Sequence, residues 1–112
     1  SIVCHVEWGT SDPTQLEKFL TQLFNWQFKA SAPNYLIYLP EDGSVNVGIL
    51  RSDTMHAGGS PNVSIRVDDI DSMLAKAEKL GGKIAVPKTQ LGEGSFAFIA
   101  APDGNLIGLQ KL

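Results

Sequence analysis

The sequence predicts an α+β fold: two tandem βαβββ modules whose sheets close into a curved, barrel-like cleft. Two observations carry that expectation. In each half of the chain the hydrophobic period runs 2, then 3.6, then 2 again, which reads as a strand, a helix and further strands. The halves can also be laid on one another. Asp12 falls on Asp69 at a shift of 57, which puts His5 on Asn62, Val6 on Val63 and Trp8 on Ile65. Asp42 falls on Asp103 at a shift of 61, and Gly48 on Gly108 at a shift of 60. Small drifts of this kind are what insertions in hairpins and loops leave behind. A unit of this size covers one sheet face with its own helix and leaves the other open, so two units are expected to close on each other.

The first element is a strand, because Ile2, Cys4, Val6 and Trp8 alternate with Val3, His5, Glu7 and Gly9. A helix follows over "DPTQLEKFLTQLF". Asp12 caps it, Pro13 suits its first turn, Gln15 stands at the third position as in a capping box, and Leu16, Phe19, Leu20 and Leu23 form its apolar stripe. Three strands are then expected at "WQFKA", "YLIYLP" and "VNVGIL", the last two joined by "EDGS", whose Asp-Gly favours a tight hairpin turn. The second half repeats the order. "NVSIRV" alternates, Asp69 and Asp71 offer two caps, and Ile70, Met73, Ala77 and Leu80 make the next helical stripe, which Gly81 and Gly82 end. Strands "KIAVP", "SFAFIA" and "LIGLQ" complete it, with "PDGN" between the last two. One domain over 1–112 results, with module one at about 1–50, a link rich in small and polar residues at about 51–61, and module two at about 62–112.

Composition narrows the function classes. A chain of 112 residues, 43% of them hydrophobic, supports one ordinary core. Its 9 basic and 12 acidic residues are scattered and sum to −3, which offers no footprint for nucleic acid. No apolar run approaches the roughly 20 residues that cross a bilayer, and no leader-like segment opens the sequence, so the expectation is a soluble, cytoplasmic protein with no membrane partner. The single cysteine, Cys4, lies in an alternating apolar run and reads as a small buried hydrophobe. No serine sits in a G-x-S-x-G elbow, and the glycines do not follow a phosphate-binding spacing.

The stretches "HVEWGTSDPTQLEKFLTQLFNWQF", "VDDIDSMLAKAEKLGG" and "APDGNLIGLQ", in this order within paired modules, resemble the vicinal oxygen chelate superfamily, which includes glyoxalase I, bleomycin resistance proteins and extradiol dioxygenases. The resemblance runs over essentially the whole chain. It implies that the open faces of two modules, within one chain or across a dimer, form a cleft that binds a small organic molecule, often with a divalent metal, and it implies a homodimer. In metal-dependent members each module supplies one ligand from its first strand and a glutamate from its last. Carried onto this chain, the first-strand positions match His5 and Asn62, and the last-strand positions match Gly48 and Gly108.

Two glycines cannot ligate an ion through side chains, and a catalytic metal usually takes three protein ligands. The expectation is therefore no metal and no cofactor. His56, in the link, reads as a solvated loop residue. Strand parity puts His5 and Glu7 on the open face of module one, and Asn62, Ser64 and Arg66 on that of module two. Gly48 shares its face with Asn46, and Gly108 shares its face with Gln110. The expected ligand-binding residues are thus His5, Glu7, Asn46, Gly48, Asn62, Ser64, Arg66, Gly108 and Gln110. Each glycine is expected to leave room for a ligand or for a close backbone approach. Glu7 and Arg66 are expected to pair, since buried charges need partners. Trp8 and Trp26 read as core, and Asp68, Asp69 and Asp71 as helix-start residues. The expected function is metal-free binding of an organic compound, cationic or aromatic, of the bleomycin-resistance type. The alternative is a divergent lyase, isomerase or dioxygenase in which His5 and Glu7 serve as acid and base or hold a metal in an atypical set. A third reading makes the cleft a surface for another protein, and no residue pattern favours it.

Overall fold

A computed structural model describes residues 2–53 and 61–112. Most of the expected link, His56 included, lies outside the described residues. The elements are β1 (Ile2–Thr10), α1 (Pro13–Phe24), β2 (Lys29–Ala32), β3 (Tyr35–Tyr38), β4 (Asn46–Arg51), β5 (Asn62–Arg66), α2 (Ile70–Lys79), β6 (Lys83–Leu91), β7 (Gly94–Ala100) and β8 (Leu106–Lys111). This is βαβββ written twice. The chain divides into two compact units, and the division falls inside β1: its residues up to Cys4 go with the second module, and His5 onward with the first.

In the first module the strands run β2-β3-β4-β1. β1 and β4 are parallel, with His5 opposite Asn46 and Glu7 opposite Gly48. β3 and β4 are antiparallel, with Tyr35 opposite Leu50 and Ile37 opposite Gly48. Alternation then places Val47 and Ile49 on the face that α1 covers, where both are buried with Leu20. The helix begins as the sequence implies: Asp12 accepts a hydrogen bond from the Gln15 amide at 3.1 Å, and Pro13 fills the first turn. The Asp12 amide itself donates to the Thr10 hydroxyl at 3.1 Å. Asn25 closes the helix in the left-handed conformation, its amide on the Thr21 carbonyl. The stripe is only partly used, for Phe19 and Leu23 are exposed while Leu20 is buried.

The second module orders its strands β5-β8-β7-β6. Ser64 lies opposite Gly108 in the parallel β5–β8 pair, and Phe98 lies opposite the same glycine from β7. Val67, Ile70, Leu74, Ala97 and Leu109 form the core, with Ile65, Met73 and Ile99 packed on it. Of the two candidate caps the structure selects Asp69, which accepts from the Ser72 amide at 3.2 Å, while Asp71 pairs with Lys88 at 2.7 Å. Leu74 takes the buried place expected of Leu80, which is 71% exposed. Leu80 caps the helix C-terminus, and Gly81 follows at φ +95. The amides of Gly81 and Gly82 reach back to Glu78 and Ala77, a Schellman closure that needs the glycine.

The hairpin turns repeat as the superposition of the halves requires. The Gly43 amide donates to Pro40 and the Ser44 amide to the Asp42 carboxylate. At the matching place the Gly104 amide donates to Ala101 and the Asn105 amide to the Asp103 carboxylate. These hydrogen bonds hold both carboxyls below the usual carboxylate range.

Two strand expectations are corrected. The "WQFKA" strand starts only at Lys29, because Trp26 is turned out of the ladder to stack on Tyr38, with ring centroids 5.0 Å apart and planes at 11°. Trp26 also packs on Phe24, which is itself exposed, so it is not the core residue expected but part of a half-buried aromatic cluster at the end of α1. The "KIAVP" strand runs on to Leu91 through Pro87. It is the edge of its sheet and its register slips between Val86 and Thr89, which is where a strand tolerates a residue without an amide proton.

Candidate functional site

Alternation along β1 turns His5 and Glu7 to the face opposite Val47 and Ile49, and the parallel register sets Asn46 and Gly48 beside them. His5 is 7% exposed. A buried imidazole needs a partner, and His5 Nε2 has one in the Tyr35 hydroxyl at 2.7 Å. Glu7 Oε1 lies 3.8 Å from the same nitrogen. The phenol is also hydrogen-bonded to Glu7. A carboxylate only accepts, so Tyr35 donates to Glu7 and its oxygen accepts from Nε2–H of His5. Burial, then the neighbouring Glu7 charge and that hydrogen bond, push the Tyr35 hydroxyl well above the usual phenol range.

The position of this hydroxyl depends on Gly48. A Cβ built there would lie 2.7 Å from Tyr35 Cζ and 3.0 Å from His5 Nε2, and closer still to the hydroxyl. The space freed at Gly48 is therefore taken by a side chain from β3, a correction to the expectation of ligand room or a backbone approach. Gly108 is the same: a Cβ there would meet the Ser64 hydroxyl, and Phe98 Cε1 at 3.2 Å. Each last-strand glycine thus lies under a hydroxyl, that of Tyr35 in one module and Ser64 in the other.

The open face of module two is built differently. Ser64 is 5% exposed, and Phe98 lies edge-on to Phe96 with centroids 6.1 Å apart. The Cys4 thiol points to Gln110 Oε1 at 3.5 Å and to the Ser64 carbonyl at 3.6 Å. Burial pushes this thiol up, with the Arg66 charge opposing. Arg66 is exposed, and Glu7 finds His5 and Tyr35 within its own module.

The predicted residues therefore form two groups. His5, Glu7, Asn46 and Gly48 come together on β1 and β4; Asn62, Ser64 and Arg66 on β5 lie beside Gly108 and Gln110 on β8. Sequence reasoning missed Tyr35, Phe96 and Phe98. The signal for Tyr35 was the hairpin: counting back from the "EDGS" turn puts Tyr35 and Ile37 in phase with Leu50 and Gly48. Grooves also open elsewhere on each module. One of about 500 Å³ lies between α1 and β1 at Trp8, Leu16 and Phe19, and one of about 350 Å³ at the start of α2 beside Lys88 and Ser95.

The sequence profile of the Glyoxalase/Bleomycin resistance protein/Dioxygenase superfamily matches residues 2–109. The chain belongs to this superfamily. A Mycobacterium bovis protein carried under the provisional name glyoxylase CFP32 is 29% identical over 93% of the chain, which spans only 43% of that relative's length. Among solved structures, a superfamily member from Vibrio splendidus matches with a TM-score of 0.71 and 16% identity, over 96% of each chain. The Mn(II)-bound glyoxalase of Novosphingobium aromaticivorans matches with a TM-score of 0.74 and 18% identity, over 98% of this chain and 38% of that one. These likenesses establish the shared fold. Superfamily membership implies that the fold binds a small molecule in a cleft. No helix among the described residues is long and apolar enough to cross a membrane.

Among the described residues, the donors at the carried-over positions do not fit the superfamily's divalent metal. His5 Nε2 is engaged by a phenol, and Gly48 and Gly108 bring no donor. Among the described residues no three His, Cys, Asp or Glu side chains are grouped to hold an ion.

Proposed function

We propose that the chain binds a small organic molecule without a metal, holding it rather than transforming it, in the manner of the bleomycin resistance proteins. The observation that carries this reading is the Tyr35 hydroxyl seated over Gly48, where metal-dependent members of the superfamily place a carboxylate. The face that remains offers a partly exposed carboxylate, whose side chain is 19% accessible, on the sheet face it shares with the half-buried Tyr35, Ile37 and Leu50. A cationic or aromatic compound matches it, because a carboxylate drawn from water is stabilised by a counter-charge. The test is thermal unfolding against a panel of organic cations, aromatics and acids, with chelator present. A ligand at a hundredfold excess over its Kd should raise Tm on the order of 10 °C. Shifts that vanish with chelator and return with a divalent ion would sink the reading.

A second reading, isomerase or lyase chemistry, is favoured by the Glu7–Tyr35–His5 contact, which links a carboxylate, a phenol and an imidazole through hydrogen bonds. In it Glu7 takes a proton from the bound compound and the phenol and imidazole hold the site in register. Each stabilising compound is therefore also incubated and followed by mass spectrometry; conversion that Glu7→Gln abolishes would replace the binding reading with this one.

A further inference from the structure

We propose that Tyr35 is a plug that closes a latent metal position in module one, and that its hydroxyl stands where a cation would. The proposal rests on the metal-free reading above and assigns it to one residue. His5 Nε2 and Glu7 Oε1 lie 3.8 Å apart, on the same strand face. Two donors that each sit about 2.0–2.2 Å from a shared ion at a tetrahedral angle are about 3.3–3.6 Å apart, so a shift of a few tenths of an ångström brings this pair onto one ion. The backbone therefore already presents the imidazole and the carboxylate as a pair that could hold one ion between them. What lies between them is the Tyr35 oxygen, 2.7 Å from His5 Nε2 and hydrogen-bonded to Glu7. It joins the same two groups that a cation would join, and it brings no charge.

The third donor is excluded by the same residue. A last-strand carboxylate would have to leave the backbone at position 48, and a Cβ there runs into the phenol ring and hydroxyl. Glycine at 48 and tyrosine at 35 are thus one device: the ring can reach His5 only because position 48 has no side chain, and with the ring in place position 48 can carry none. Tyr35 lies opposite Leu50 on the neighbouring strand, one diagonal step from Gly48, so the register of the β3–β4 hairpin delivers the plug. Module two keeps its last-strand position closed with the Ser64 hydroxyl and Phe98 instead.

The experiment is a calorimetric titration of the whole protein with Mn²⁺ and Ni²⁺, comparing the wild type, Tyr35→Ala, and Tyr35→Ala combined with Gly48→Glu. Removing the ring and supplying the carboxylate should tighten binding at least about tenfold over the wild type, since a three-donor set replaces an engaged pair. His5→Ala added to the double variant should return the affinity to the wild-type value. A double variant that is folded by circular dichroism and still binds no tighter overturns the plug, and leaves metal-free ligand binding standing. A wild type that takes up one equivalent of metal, lost on His5→Ala, overturns both. Should the alanine variants not fold, Tyr35→Phe decides: it keeps the ring and removes only the bridging oxygen. A rise in Ni²⁺ affinity of about threefold or more supports the plug, and no change overturns it.

Discussion

At the scale of single residues, two buried protons set the response to alkali. The Tyr35 hydroxyl is held above its ordinary value of 10.0, first by burial and then by Glu7, and burial likewise holds the Cys4 thiol above 9.0. In each case the unfolded chain ionises first while the folded chain keeps its proton. A group raised on folding contributes stability that is complete below its unfolded value and is lost as pH climbs past it. Stability should therefore hold up to about pH 9, then fall, with Cys4 acting first and Tyr35 above about pH 10. Urea midpoints measured from pH 7 to 11 check this. Cys4→Ser should remove the earlier part of the fall and Tyr35→Phe the later part, although the latter variant starts from lower stability because it leaves His5 and Glu7 short of a partner. Equal slopes above pH 10 for Tyr35→Phe and the wild type would show that the phenol is not buried against Glu7. The same two residues mark what a sequence reveals at this scale. Cys4 was legible because a cysteine in an apolar run reads as a small buried hydrophobe; Tyr35 was not, because its role arises from a missing Cβ on a different strand.

At the scale of elements, what was legible is what the chain settles within a few residues of itself. Asp12, the "EDGS" and "PDGN" turns and the Gly81–Gly82 closure each satisfy backbone groups no more than five residues away, and each was visible as a local pattern. The two misplaced strand ends depend on distant groups: Trp26 leaves its strand for Tyr38, and β6 continues past Pro87 because the edge of a sheet has no partner on its outer side. Between Asp69 and Asp71 the sequence alone left a choice, and the Ser72 amide resolves it. This choice can be tested. Asp12→Ala and Asp69→Ala should each cost about 1 kcal/mol in urea unfolding, the usual loss when an N-cap side chain is removed. Asp71→Ala should cost less, because its exposed pair with Lys88 is screened by water. If Asp71→Ala proved the costlier of the two in module two, the cap would have been misassigned.

At the scale of the whole molecule, the repeat is legible element for element, because each βαβββ unit must place an apolar stripe under its helix and so repeats the same order. Each unit has its own buried residues: Leu20, Val47 and Ile49 in one, and Val67, Ile70, Leu74, Ala97 and Leu109 in the other. Separate cores suggest separate unfolding, yet β1 argues otherwise. It is one unbroken strand whose residues up to Cys4 belong to the second unit and whose residues from His5 belong to the first, so loss of either unit strips partners from the same backbone. Cooperative unfolding is the expected result. Both tryptophans, Trp8 and Trp26, lie in the first module and report on it alone, whereas far-ultraviolet circular dichroism reports on the whole chain. Ile70→Ala, at a side chain 2% exposed in the second core, should cost about 2–5 kcal/mol. If β1 ties the units together, that substitution lowers the urea midpoint seen by tryptophan fluorescence as much as the one seen by circular dichroism. A fluorescence midpoint that stays put while the dichroism curve splits into two steps would mean that the units melt independently, and that the shared strand joins them without coupling them.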